Sequence, residues 1–169
     1  MNITVVEGDI TQQDVDAVVN AANSAMRGGG GVDGAIHRAG GRDILEDCIR
    51  RFPDGLATGD AGWTTGGELL AQWVIHVVGP NRHAGQTDRS LLTSCYRRAL
   101  EVADELGAHT VAFPLISAGV YGWPKDDAIA CALEVFRSAD TDVAEARLVA
   151  FDHATYEQIR VQLGDEQAS

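Results

Sequence analysis

Cysteine is scarce in this chain of 169 residues: its three cysteines, Cys48, Cys95 and Cys131, are odd in number and far apart. Each of them lies in an apolar pattern of helical period, which is typical of buried free thiols in a reducing compartment. Neither the C-x-x-C nor the H-x-x-x-H spacing of common zinc sites occurs. The sequence therefore indicates no dedicated metal site.

Basic residues are also few, because 13 Lys and Arg stand against 25 Asp and Glu and leave a net charge of −12. This balance argues against bulk binding of nucleic acid, which needs a basic surface. Any phosphate group must then be held mainly by backbone N–H groups and helix dipoles, which suits a small ligand better than a polymer. Self-repulsion of an acidic surface favours a monomer.

Long apolar runs are absent, and so is a basic, apolar N-terminal segment. We therefore expect neither membrane insertion nor secretion, and with the cysteine pattern this predicts a cytoplasmic protein. A chain of this length with 45% hydrophobic residues suits one domain with a real core. We expect a single domain over 1–163 and a frayed polar tail over 164–169.

Strand and helix patterns alternate along the chain, which predicts an α/β domain with helices on both faces of a mostly parallel sheet. The pattern from residue 33 onward is helical, and the glycine pair at 40–41 is expected to divide it into two short helices. The predicted strands are 2–7, 15–21, 61–65, 73–78, 109–116 and 146–151, and the later helices are 88–106, 126–138 and 153–163.

Four successive glycines, 28–31, lie between the second predicted strand and the first predicted helix. Glycine lets backbone N–H groups approach a ligand closely, and a helix N-terminus favours an anion, so this turn is a candidate phosphate site. Gly29, Gly31 and Gly34 also match the dinucleotide fingerprint G-x-G-x-x-G. However, these glycines lie too far beyond the strand, and residues 49–51 lack the acidic residue that the fingerprint requires. A P-loop is excluded because no Gly-Lys-Ser/Thr follows.

Polar side chains concentrate on this first turn. Asn20 and Asn23 lie at the carboxyl end of the second strand, where open α/β sheets place their ligands. Asp33 and His37 are four residues apart at a helix start and so share a face. A carboxylate there is a weak general base at neutral pH, which suits Asp33 to positioning and polarising a water.

Three further residues or segments complete the candidates. Asp9, just past the first strand, could accept from a ligand N–H or simply cap a turn. His76, inside an apolar strand, is expected to be a hydrogen-bonded core histidine. A second glycine-bearing turn, 117–122, also follows a buried strand and precedes a helix. Two such turns at one sheet edge can hold the two phosphates of a diphosphate.

Four segments together resemble the macrodomain family, and most closely its MacroD-type subgroup of O-acetyl-ADP-ribose deacetylases and mono-ADP-ribosyl hydrolases. They are N-A-A-N at 20–23, G-G-G-G-V-D-G-A-I-H at 28–37, V-I-H-V-V-G-P at 74–80 and F-P-L-I-S-A-G-V-Y-G at 113–122. The resemblance runs from about residue 3 to residue 160. It implies a three-layer α/β/α sandwich with a mixed, mostly parallel central sheet and a cleft for ADP-ribose at the strand ends. It also implies that no metal or redox cofactor is needed.

The resemblance assigns a role to each candidate ligand contact. Asp9 would accept from the adenine amino group beside the Ile10 backbone, and Phe151 would pack against the adenine. The amides of Gly31 and Val32 would hold one phosphate. The second turn would hold the diphosphate and the distal ribose through Ser117, Ala118, Gly119, Val120 and Tyr121.

The resemblance also implies the chemistry. Asn23 would hold the distal ribose, Asp33 would orient the attacking water, and His37 would support the site. We therefore expect a metal-independent hydrolase that cleaves ester-linked ADP-ribose, from Asp or Glu side chains of mono-ADP-ribosylated proteins and from O-acetyl-ADP-ribose. The alternative is a reader module that binds ADP-ribose without turning it over.

The chain departs from the family pattern in places. Ala118 replaces the usual threonine, Arg27 replaces a Leu or Met beside the glycines and is expected to be a rim charge, and the loop 56–59 lacks the common Cys-Pro-Thr-Gly run. These departures bear on substrate preference.

Overall fold

Six strands form the central sheet of this protein, whose computed structural model describes residues 1–164. The sheet order is β1-β6-β5-β2-β4-β3, and each neighbouring pair is parallel except β3 with β4. The strands are β1 (Asn2–Glu7), β2 (Ala17–Ala22), β3 (Ala61–Thr65), β4 (Trp73–Val78), β5 (Thr110–Phe113) and β6 (Glu145–Ala150). The predicted mixed, mostly parallel sheet is confirmed.

Five α-helices cover the two faces of the sheet, and each face has its own buried apolar cluster. The helices are α1 (Gly31–Gly40), α2 (Arg42–Arg51), α3 (Arg89–Leu106), α4 (Lys125–Ser138) and α5 (His153–Leu163). Side chains of α1 and α2 pack on one face, and those of α3, α4 and α5 pack on the other. This arrangement is the expected three-layer α/β/α sandwich.

Glycine and proline account for the boundaries that matter most to the site. The break between α1 and α2 falls at Gly41, whose φ of 80° is a left-handed conformation that favours glycine. The strand predicted over 109–116 ends at Phe113, because Pro114 has no N–H to continue the ladder. Beyond it, the Ile116 N–H donates to the Tyr96 hydroxyl at 3.0 Å.

The three cysteines are free and buried, as the sequence indicated. Burial raises the pKa of the Cys48 thiol to about 11 and that of Cys95 to about 12, so both are neutral and unreactive at physiological pH. Within residues 1–164, no helix combines the length and apolarity needed to cross a bilayer. Most of the predicted tail, residues 165–169, lies outside the described residues.

The sheet order brings the carboxyl ends of three strands together. β2 lies between β5 and β4, so the loops that follow these three strands leave the same edge of the sheet. Parallel strands place their ligand crevice at this edge. Both glycine-bearing turns therefore lie next to each other.

Candidate functional site

A cleft of about 450 Å³ opens between the two glycine-bearing turns at this edge of the sheet. Eight of the expected site residues line it. Its lining comprises Ala21, Ala22, Asn23, Gly29, Gly30, Gly31, Val32, Asp33, Gly79, Leu115, Ile116, Ser117, Gly119, Val120 and Tyr121. Apart from Gly29 and Gly30 of the glycine run, the lining residues absent from the sequence-based set lie at strand ends: Ala21 and Ala22 at the end of β2, Gly79 directly after β4, and Leu115 and Ile116 shortly after β5. Their position at strand ends was the signal that could have identified them.

The first wall is the N-terminus of α1. Gly30 is the N-cap of this helix and provides no side-chain hydrogen bond. The first hydrogen bond of the helix is donated by the Gly34 N–H to the Gly30 carbonyl at 3.2 Å. The N–H groups of Gly31, Val32 and Asp33 consequently have no acceptor within the described part of the chain. Unpaired N–H groups at a helix N-terminus favour an anion. The phosphate contact of Gly31 and Val32 stays a prediction, and these N–H groups are available for it.

The second wall is the turn 117–121, in which three carbonyls accept backbone hydrogen bonds. The Trp123 N–H donates to the Ser117 carbonyl at 2.9 Å, and the Arg82 N–H donates to the Tyr121 carbonyl at 2.9 Å. Ser117 adopts a φ of 66°, unusual for a residue other than glycine. Its buried hydroxyl oxygen has no hydrogen-bond partner among residues 1–164. The backbone N–H groups of 117–121 have no acceptor within residues 1–164, as an anion-binding loop needs.

Asp33 is the only carboxylate among the residues that line this cleft, and it is 5% exposed. Its Oδ1 accepts from the Asn20 side-chain amide at 2.8 Å and lies 3.3 Å from His37 Nε2. Its Oδ2 accepts no hydrogen bond from the described residues and lies next to Gly29. A Cβ added to Gly29 would lie 3.2 Å from this Oδ2 and 3.3 Å from Asn23 Nδ2. Glycine therefore leaves room beside the free oxygen.

Asn23 shapes the first turn as well as lining the cleft. Its Oδ1 accepts from the Met26 N–H at 3.2 Å, and its Nδ2 donates to the Gly28 carbonyl at 3.2 Å. These two bonds hold Met26, which is buried with a φ of 61°. The second N–H of the Asn23 amide has no acceptor within residues 1–164.

Some of the expected contacts lie off the cleft lining. Asn20 has no exposed surface and contacts Asp33 and His76 instead of solvent. In this structure it acts on Asp33, which corrects the expected direct ligand contact. Strand alternation explains this, because the Asn20 side chain leaves β2 on the face that α1 covers. His37 is also outside the cleft lining: its side chain is 16% exposed and its Nε2 lies near Asp33 Oδ1.

The residues expected at the adenine lie farther along the same edge. Asp9 caps a short 3₁₀ turn, since its Oδ1 accepts from the Thr11 N–H at 2.9 Å and from the Thr11 hydroxyl at 2.7 Å. The capping alternative is therefore realised. Ile10 is buried in the core, whereas Phe151, one residue beyond β6, is 91% exposed. Ala118, within the second turn, is partly buried and packs against the apolar core. Their adenine and phosphate contacts remain predictions.

The sequence profile of the Macro domain family matches residues 19–132, which include both turns. The chain belongs to the macrodomain family. It is 55% identical to a macro domain-containing protein of Streptomyces coelicolor over 166 residues, which cover 96% of this chain and 98% of that protein. It is 46% identical to O-acetyl-ADP-ribose deacetylase 1 of Pantoea vagans over 161 residues, 92% of this chain and 94% of that one.

Two solved macrodomains have the same fold. The Oceanobacillus iheyensis macrodomain with ADP superposes with a TM-score of 0.89 at 37% identity, covering 94% of this chain and 88% of that one. The Trypanosoma brucei macrodomain in complex with ADP-ribose superposes with a TM-score of 0.88 at 34% identity, covering 96% and 69%.

Arg27 is where this macrodomain departs most clearly from the expected cleft rim. Its guanidinium donates to four carbonyls, those of Ala25 and Met26 at 3.1 Å, Phe52 at 3.0 Å and Pro53 at 3.3 Å. The charge expected at the rim is therefore engaged by carbonyls of the protein itself. The side chain ties the first turn to the C-terminus of α2, where carbonyls lack helical partners.

Replacing Arg27 with alanine should lower the free energy of unfolding by about 1–2 kcal/mol, because four hydrogen bonds from a charged donor are lost, two of them partly buried. Urea denaturation measures this change. Arg38→Ala is the matched control, since Arg38 is exposed on α1 and carries no hydrogen bond or ion pair within residues 1–164. Equal losses in the two variants would show that the Arg27 contacts contribute nothing.

His76 predicts a pH dependence of stability. Burial first and the nearby His37 second lower the pKa of His76 from 6.5 to about 3, against the opposing effect of Asp33 and Asp47. Between pH 3 and pH 6.5, His76 is therefore protonated in the unfolded chain and neutral in the folded protein. The stability due to neutral His76 is complete above pH 6.5 and declines as the pH falls toward 3.

We expect the free energy of unfolding to decrease as the pH is lowered from 6.5. The slope should approach the value for uptake of one proton by this group on unfolding. Denaturation of the wild type and of His76→Asn at several pH values isolates that slope by difference. Parallel pH profiles for the two proteins would contradict the assignment.

Proposed function

We propose that this macrodomain binds ADP-ribose and hydrolyses its esters, taking mono-ADP-ribosylated Asp or Glu side chains and O-acetyl-ADP-ribose as substrates. The observation that carries the proposal is the free Oδ2 of Asp33, which lies beside the Asn23 amide in a cleft bounded by two turns with open N–H groups. Both the Oceanobacillus iheyensis structure with ADP and the relative named O-acetyl-ADP-ribose deacetylase support it.

In the proposed complex the diphosphate bridges the two walls. The amides of Gly31 and Val32 hold one phosphate, and those of 118–121 hold the other. Fixed N–H dipoles suit this protein because its net charge of −12 repels an anionic ligand elsewhere. The distal ribose then lies toward Asn23 and Asp33, and the adenine extends toward Asp9 and Phe151.

Asp33 supplies the chemistry in this proposal. Its Oδ2 accepts a hydrogen bond from a water and orients the water toward the ester, while Asn20 and His37 hold Oδ1 in place. Hydrolysis consumes that water, breaks one ester C–O bond and yields a carboxylate, a proton and ADP-ribose. Positioning contributes most of the rate in this scheme, because the water is oriented before the reaction.

Calorimetric titration with ADP-ribose, followed by a hydrolysis assay, tests the proposal. We expect saturable binding, release of ADP-ribose from glutamate-modified protein, and no release from an arginine-linked substrate. Absence of any heat of binding would contradict the ligand. Binding without turnover would instead identify a reader, which needs the two turns but has no use for Asp33 beside Asn23.

We further propose that the protein acts as a cytoplasmic monomer. Light scattering coupled to size exclusion tests the oligomeric state.

NADH fluorescence should not change when the protein is added, since the first turn lacks the spacing and the acidic residue of a dinucleotide site.

A further inference from the structure

A chain of hydrogen bonds runs beneath the cleft from β3 to Asp33. His76 lies on β4 opposite Asn20 on β2 in the parallel register. Its Nδ1 lies 3.0 Å from Asn20 Nδ2, and its Nε2 lies 2.8 Å from the Thr64 hydroxyl on β3. Asn20 in turn donates to Asp33. Three strands and the first helix are thus joined by buried polar side chains.

The hydrogens of this chain can be placed in one self-consistent way. The Asn20 amide has two N–H groups, which go to Asp33 Oδ1 and to His76 Nδ1. His76 Nδ1 must then be an acceptor, so the ring carries its proton on Nε2 and donates to Thr64. The Thr64 hydroxyl passes its own hydrogen to the Thr65 carbonyl at 3.0 Å. The opposite orientation of the Asn20 amide would place its oxygen against the Asp33 carboxylate.

The surroundings of His76 keep this tautomer in place. Its side chain is 1% exposed, and burial holds its pKa at about 3, so the ring is neutral throughout the physiological range. A protonated ring would carry an N–H on Nδ1 and could not accept from Asn20. The hydrogen-bond chain from Thr64 to Asp33 therefore requires a neutral His76 ring.

We propose that His76 is a positioning residue for the reaction: by accepting from Asn20 at Nδ1, it orients the Asn20 amide so that Asp33 is held by Oδ1 and presents Oδ2 to the cleft. The consequence for turnover rests on the proposed hydrolase function. His76 touches neither substrate nor water in this scheme. Its effect passes through two hydrogen bonds, and a misplaced Asp33 carboxylate lowers the rate without preventing the diphosphate from binding.

Two substitutions of His76 separate positioning from packing. His76→Asn can place its side-chain oxygen near the former Nδ1 and keep the acceptor, whereas His76→Leu fills similar volume without one. We expect His76→Leu to lose about 10- to 100-fold in kcat, since small misplacements cost this much. The affinity for ADP-ribose should change by about twofold or less, because the amide turns are untouched. His76→Asn should recover most of the lost kcat.

A matched control measures the cost of disturbing the same core. Cys48 Sγ lies 3.8 Å from His76 Nε2 but is not part of the chain to Asp33. Cys48→Ala should lower stability through the cavity it leaves and leave kcat unchanged. If Cys48→Ala reduces kcat as much as His76→Leu, or if His76→Asn recovers no more activity than His76→Leu, positioning by His76 is overturned.

Nitrogen-15 NMR of the His76 ring reads the tautomer in the wild-type protein without any substitution. We expect a protonated Nε2 and an unprotonated Nδ1 from pH 6 to pH 8. Protonation on Nδ1 would overturn the inference even if every variant folded poorly. This measurement needs no substrate, so it tests the inference separately from the proposed function. A wild-type protein without turnover would contradict the proposed function alone.

Discussion

Replacing Asp33 with asparagine should lower kcat for ester hydrolysis by about 100-fold or more, the range lost when a positioned acid–base group is removed. Asparagine has the same size, and its oxygen can still accept from Asn20, which in the wild type donates to Oδ1 at 2.8 Å. The variant loses the negative charge that orients a water at Oδ2. Single-turnover assays with O-acetyl-ADP-ribose and with glutamate-modified protein measure the change.

The affinity for ADP-ribose should stay within several-fold in this variant, since the phosphate amides come from the backbone. Asp43→Asn is the matched control, because Asp43 lies in the first turn of α2 as Asp33 lies in that of α1 and is exposed. Full turnover by Asp33→Asn would show that the site assignment is wrong even if the function is right.

The second large effect is expected from Gly34→Ala. Alanine usually stabilises a helix by about 1 kcal/mol over glycine. At this position, however, a Cβ would lie 2.6 Å from the Gly29 carbonyl oxygen and 2.9 Å from Arg38 Nη1. The arginine end can move aside, whereas the Gly29 carbonyl belongs to the turn that lies against Asp33.

Relief of this clash must displace the first turn by several tenths of an ångström, so both the phosphate amides and the space beside Asp33 Oδ2 change. We expect ADP-ribose affinity to fall by about tenfold and kcat/KM by about 100-fold. Titration calorimetry and initial-rate assays give the two values. Gly30→Ala is the control for stability, because a Cβ there meets nothing within 4 Å. A more stable Gly34→Ala with unchanged affinity would contradict the argument.

Local patterns predicted most of the fold. The bounds of β1, β3, β4 and α5 agree with the expectations from periodicity and turn residues. The residues that end each of these elements lie next to it in the sequence, so a local pattern reports them. The break at Gly41 was likewise visible. The error at β5 came from reading an apolar run through Pro114, where side-chain hydrophobicity continues but backbone pairing cannot.

The candidate site was predictable where it depends on backbone. A glycine run before a helix start indicates open amides wherever it occurs, so the contacts expected of Gly31 and Val32 needed no tertiary information. Arg27 shows the limit. Its charge suggested a solvent-exposed rim, but its guanidinium reaches carbonyls 25 and 26 residues away, and no local pattern reports such a contact.

Asn20 and His76 divide the two kinds of information most clearly. The sequence determined by itself that both residues lie on buried strands and that Asp33 begins a helix, because strand and helix periods are local properties. Only the tertiary structure decided that these residues touch one another. That contact depends on β2 and β4 pairing in register and on α1 covering the face to which Asn20 points, and both follow from the packing of the whole sheet.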